Sequence, residues 1–100
     1  MPPTRYSMRA KGWLYPGMAG WHFVTLPQKR AEEIHERFAE RKRGWGSLPV
    51  VVTIGETVWK TSIFPHRESG SFLLPLKAEV RKRERIAEGD TIAFSLEVTA

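Results

Sequence analysis

Between Leu48 and Ile63 apolar and polar residues alternate on either side of a two-residue break, Gly55-Glu56, the clearest local signal in the chain and the mark of a tight β-hairpin. Leu48, Val50, Val52 and Ile54 share one side of a first strand; Thr57, Trp59, Thr61 and Ile63 share one side of a second. A two-residue Gly-X loop fits a type II′ turn, because glycine accepts the positive φ needed at its first central position. This register pairs Ile54 with Thr57, Val52 with Trp59 and Val50 with Thr61. Cross-strand partners share a face, so one face collects β-branched residues and a tryptophan. Val51, Thr53, Val58, Lys60 and Ser62 take the other.

The same alternation predicts a strand over Tyr6 to Leu14, with Tyr6, Met8, Ala10, Gly12 and Leu14 inward. Ser7, Arg9, Lys11 and Trp13 then fall on its polar side, which makes Trp13 a candidate for exposure. After Pro16-Gly17 a second apolar run covers Trp21 to Leu26. Pro27 suits the first turn of a helix, where its missing N–H costs nothing. Ala31, Ile34, His35, Phe38 and Ala39 then share one helical face, Glu33 and Arg37 form an i,i+4 pair, Arg41, Lys42 and Arg43 close the helix, and Gly44 stops it. Pro65 to Gly70 reads as a polar loop and Ser71 to Leu74 as a short strand. A second helix is expected from Pro75 to about Ile86. Ile92, Phe94, Leu96 and Val98 alternate along a last strand after the Gly89-Asp90 turn. The order strand, Leu-Pro, helix occurs twice, at Phe23 to Phe38 and Phe72 to Ile86, and hints at a pseudo-twofold arrangement.

Residues 1–100 are accordingly expected to form a single, mainly β domain, a small closed antiparallel-type barrel of five to seven short strands with two short helices. Closure removes exposed sheet edges. The hydrophobic fraction of 41% and four tryptophans supply a core. No apolar run approaches the roughly 18 residues of a membrane helix. Arg5 and Arg9 interrupt any signal-type apolar segment at the N-terminus, and there is no cysteine, so a cytoplasmic location is expected. The net charge of +5 favours polyanions without specifying one.

Little in the chain suggests catalysis. His22, His35 and His66 lack metal-ligand spacing, so no metal and no cofactor are expected. His35, beside Ile34 and Phe38, reads as a core or boundary imidazole. The single aspartate, Asp90, follows Gly89 and suits an Asx-type turn contact. No nucleophile elbow, phosphate loop or dinucleotide fingerprint is present. No catalytic residue is therefore assigned.

Several segments in order carry a family resemblance: Gly20 to Pro27, the Val50–Ser62 hairpin with Ile54-Gly55-Glu56, Leu74-Pro75-Leu76-Lys77, Val80-Arg81-Lys82 and Gly89-Asp90-Thr91. Together they resemble a bacterial domain-of-unknown-function family, number 1905, over nearly the whole chain after Ser7. The resemblance implies a double-split β-barrel capped by helices, related in fold to AbrB-type barrels, and a bacteriocin-protection or stress context. It brings no activity, cofactor or catalytic residue to transfer.

The reading that follows is a non-catalytic binding module for a protein or a small anionic ligand. Its site would be a barrel mouth framed by Trp45, His66, Arg67 and Arg81, an apolar floor with convergent cations. The alternative is a weak nucleic-acid-binding barrel using Lys77, Arg81, Lys82 and Arg85 on the second helix. Glu79 and Glu84 dilute that helix's charge. No membrane partner is expected, and the chain is expected as a monomer or weak homodimer.

Overall fold

In the computed structural model, which describes residues 5–16, 20–41 and 46–99, the elements run β1 (Arg5–Leu14), β2 (His22–Thr25), α1 (Gln28–Arg37), β3 (Leu48–Ile54), β4 (Thr57–His66), β5 (Ser71–Pro75), α2 (Ala78–Glu84) and β6 (Thr91–Val98). All strand pairs are antiparallel, and the strands close a six-membered ring in the order β1-β2-β5-β4-β3-β6. The β3–β4 hairpin has the expected register, with Ile54 opposite Thr57, Val52 opposite Trp59 and Val50 opposite Thr61. Gly55 takes φ 57°, the value a type II′ turn demands of its first central residue. The carboxylate of Glu84 lies over this turn, where a side chain at residue 55 would sit, and accepts the Thr57 hydroxyl at 2.6 Å.

Period-two patterning translates directly into the core. Tyr6 and Met8 of β1, Leu48 to Ile54 on β3, Thr57, Trp59 and Ile63 on β4, and Ile92 to Val98 on β6 are buried at alternate positions. Each large apolar side chain so enclosed stabilises the barrel by roughly 1.5–3 kcal/mol relative to exposure. Ala31, Ile34 and Phe38 from the first helical segment, and Val80 from α2, complete the same cluster.

Both helices are shorter than their sequence patterns predict. α1 stops at Arg37, where the Phe38 amide donates back to the Ile34 carbonyl, and a 3₁₀ turn Ala39–Arg41 follows. The expected closing residues Lys42, Arg43 and Gly44 lie outside the described residues. Glu33 pairs at 3.1 Å with Arg30, one turn before it in the helix, where the sequence pattern points to Arg37, one turn after it. α2 begins at Ala78 rather than Pro75 and ends at Glu84, because Arg85 turns into the left-handed region at φ 56°.

The two prolines that suggested a helix start and a loop are instead strand residues. β4 continues through Pro65 to His66, so the polar loop is confined to Arg67–Gly70, and Pro75 ends β5 opposite Phe23. The reason is local. The β3–β4 ladder ends at Ile63, and the β4–β5 ladder runs only from Phe64 to His66, so Pro65 and Pro75 each sit where their strand has a single partner. A missing N–H is tolerated at such an edge. Trp13 also differs from expectation: it is half-buried, its indole N–H donating to Thr25 Oγ1 at 2.9 Å.

The pseudo-twofold hint becomes a property of the topology. Exchanging β1 with β4, β2 with β5 and β3 with β6 returns the same ring of neighbours. At the centre of this relation the Leu26 amide donates to the Phe72 carbonyl (3.0 Å) and the Leu76 amide to the His22 carbonyl (2.8 Å). A helix starts two residues after each leucine. The equivalent of Leu26 is therefore Leu76, not the Leu74 of the repeated Leu-Pro pair.

Candidate functional site

Where β4 parts from β5, the barrel wall opens. The β4–β5 ladder stops at Phe64 opposite Leu73, while β5 runs on beside β2 to Pro75 and then into α2. The gap is a cleft of about 300 Å³, walled by Trp21, Phe23, Trp59 and Leu76, with Lys60 and Lys77 among its lining residues. Local structure explains each placement. Lys60 is outward because Trp59 before it is inward. Lys77 precedes the first turn of α2 in an extended conformation, and both lysines are exposed. Among the described residues no carboxylate lines the cleft. Two ammonium groups beside an aromatic wall favour an anion with a flat apolar body.

His22 lies at the edge of this cleft but its ring turns inward. It is 3% exposed, and Nε2 has no hydrogen-bond partner among the described residues. Nε2 occupies the space that a Cβ on Gly12 would need, with Ile92 on the other side of that space. Burial holds the imidazole below its usual pKa, and the Arg81 guanidinium adds to that shift; Glu88 and Asp90 pull it the other way.

The expected ligand residues separate into two places. His66 and Arg67 line one groove of about 480 Å³ together with His35, Phe64 and Gly70. There His66 Nδ1 is 2.8 Å from Ser69 Oγ, and the His35 ring stacks on Phe72 at 4.2 Å, the boundary position its helical spacing predicts. Arg81 is not among the residues lining that groove. Its Nε donates to the Leu76 carbonyl and one Nη to the Gly20 carbonyl, both at 3.1 Å, so the guanidinium ties the start of β2 to the start of α2. Trp45 lies outside the described residues.

The basic stripe expected on the second helix is cut at both ends. Lys77 precedes α2, Arg85 leaves it in a left-handed turn, and Arg81 is half-buried on the two carbonyls. Lys82 is exposed. Arg83 and Glu79 form an exposed ion pair at 3.6 Å.

Sequence reasoning named Trp13 and Trp59 singly but missed the group of rings around Phe23 beside the cleft. Phe23 is the hub of a group of rings: Trp13 at 5.5 Å, Trp21 at 5.8 Å and Tyr15 at 6.0 Å between centroids. Trp13 also meets Tyr15 at 6.0 Å and His66 at 6.3 Å. The available signal was the spacing of Trp13 with Tyr15 and of Trp21 with Phe23, each pair two residues apart.

Among the described residues no helix is long and apolar enough to cross a membrane. The family model described as a domain of unknown function, DUF1905, matches residues 9–96, and the chain belongs to that family. No curated protein matches the chain.

Proposed function

We propose that this DUF1905 barrel is a non-catalytic binding module for a small organic anion, seated in the cleft between β4 and the β5–α2 junction. The observation that supports it is the union of Trp21, Phe23 and Trp59 with Lys60 and Lys77 in a lining that, among the described residues, is free of carboxylates. The aromatic walls take the flat body of the ligand, and the lysines take its charge. A volume of about 300 Å³ suits a ligand of one or two rings. The same lining supports the non-catalytic reading: among the described residues its imidazole is His22, buried with Nε2 against Gly12 and hydrogen-bonded there to neither an acid nor a nucleophile.

Calorimetric titration with benzoate, and with neutral benzamide as its uncharged counterpart, tests this reading. Benzoate should bind, and benzamide should bind less tightly. The double variant Lys60→Ala, Lys77→Ala should lower benzoate affinity by about tenfold, the equivalent of one lost charge-assisted contact. Equal binding of the two compounds, or a double variant that binds benzoate like the parent, would overturn it.

A further inference from the structure

We infer that the outer face of the barrel around Phe23 binds single-stranded nucleic acid, a site that goes beyond the anion cleft although it shares Trp21 with it. The rings provide the first argument. Phe23 itself is buried beneath its neighbours, and the rings above it are the accessible ones: Trp21 is 52% exposed and Tyr15 41%. Trp13 joins the group to His66 across the sheet, and Phe64, 42% exposed, stands two residues before His66 on the same outer face of β4. Flat rings held in a connected group offer successive stacking surfaces to unpaired bases, and stacking is tolerant of sequence because every base has a π-face.

Charge complementarity selects the occupant. Arg9, Lys11 and Trp13 follow one another along the outer side of β1, so a basic approach leads into the aromatic group. Lys60 and Lys77 stand in the cleft beside Trp21, and Arg67 follows His66 at the far side. Glu88 lies next to the group, where its carboxylate accepts the Leu14 amide at 3.3 Å. Cations around exposed rings match a chain of phosphates and bases better than they match an apolar protein surface. A duplex fits poorly, because its bases have no free faces to stack.

This placement differs from one on α2. That helix has seven residues, its central Arg81 is held by two backbone carbonyls, and Arg83 is paired with Glu79.

Fluorescence anisotropy with a labelled single strand of about twelve nucleotides, against the same strand in duplex form, tests the inference. The single strand should bind, with affinity falling as salt is raised from about 50 to 200 mM. Tyr15→Ala should weaken it by about tenfold, and Tyr15→Phe, which keeps the stacking ring, should restore it. Tyr15 is outside the cleft lining, so Tyr15→Ala should leave benzoate binding unchanged. A parent protein that binds benzoate but not the single strand counts against this inference alone. Duplex bound as tightly as single strand would overturn it, as would Tyr15→Ala binding like the parent. A face that pairs two copies in sedimentation and ignores the oligonucleotide would also overturn it.

Discussion

The space missing from Gly12 is filled by His22: a Cβ on Gly12 would stand 2.6 Å from His22 Nε2 and 3.4 Å from Ile92 Cδ1. The glycine is on the inner side of β1, with no positive φ to explain it, so the neighbouring imidazole is what requires the absence of a side chain. Gly12→Ala should therefore destabilise the barrel by about 1–3 kcal/mol, as overpacking in a closed core does. In urea denaturation the double variant Gly12→Ala, His22→Ala should cost less than the two single changes added together. A Gly12→Ala protein as stable as its parent would show that the imidazole has room to move.

Acid should weaken the fold through the same histidine. Burial, reinforced by Arg81, lowers the His22 pKa in the folded barrel, whereas the unfolded chain keeps a value near the ordinary 6.5. The unfolded state then binds more protons as pH falls through 6.5 toward the lowered folded value, so stability drops across that window and levels off below it. The contribution is fully present above pH 6.5. Melting temperatures between about pH 7.5 and 5.5 should fall for the parent and fall less for His22→Gln. An unchanged pH dependence in that variant would place the effect elsewhere.

Arg85 ends α2 at φ 56°, ψ 46°, a conformation that glycine adopts without the Cβ penalty other residues carry. Its amide reaches the Arg81 carbonyl, and the following Ile86 amide reaches the same oxygen at 2.8 Å. Arg85→Gly should raise stability by about 0.5–1 kcal/mol, the relief of left-handed strain being partly offset by the greater freedom of glycine in the unfolded chain. A lower melting temperature in thermal denaturation would mean that the arginine side chain contributes more than its backbone costs.

The sequence was most legible where one face of a strand is buried and the other is wet. Val52 opposite Trp59 and the alternation from Ile92 to Val98 follow from that asymmetry, since a slip of one residue would turn every apolar side chain outward. The helix ends were less legible, because Pro65 and Pro75 carry the same local signal in a turn, a first helical turn or an unpartnered strand edge. Only the places where the ladders stop distinguish these cases. The site was least legible. Lys60 and Lys77 are seventeen residues apart in the chain and meet only because β4 and β5 separate. Arg81 and Arg67, similar as cations in the sequence, are sent to different places: one to backbone carbonyls, the other to the groove with His66.

The longest ladder of β1 joins it to β6, from Arg5 opposite Glu97 to Lys11 opposite Thr91. During synthesis on the ribosome, β1 emerges first and its main partner last. Until β6 is made, Tyr6 and Met8 lack the strand that carries Leu96 and Phe94 opposite them. The nascent chain therefore carries an unzipped seam until β6 follows, and its earliest strand is the one most dependent on what has yet to be made.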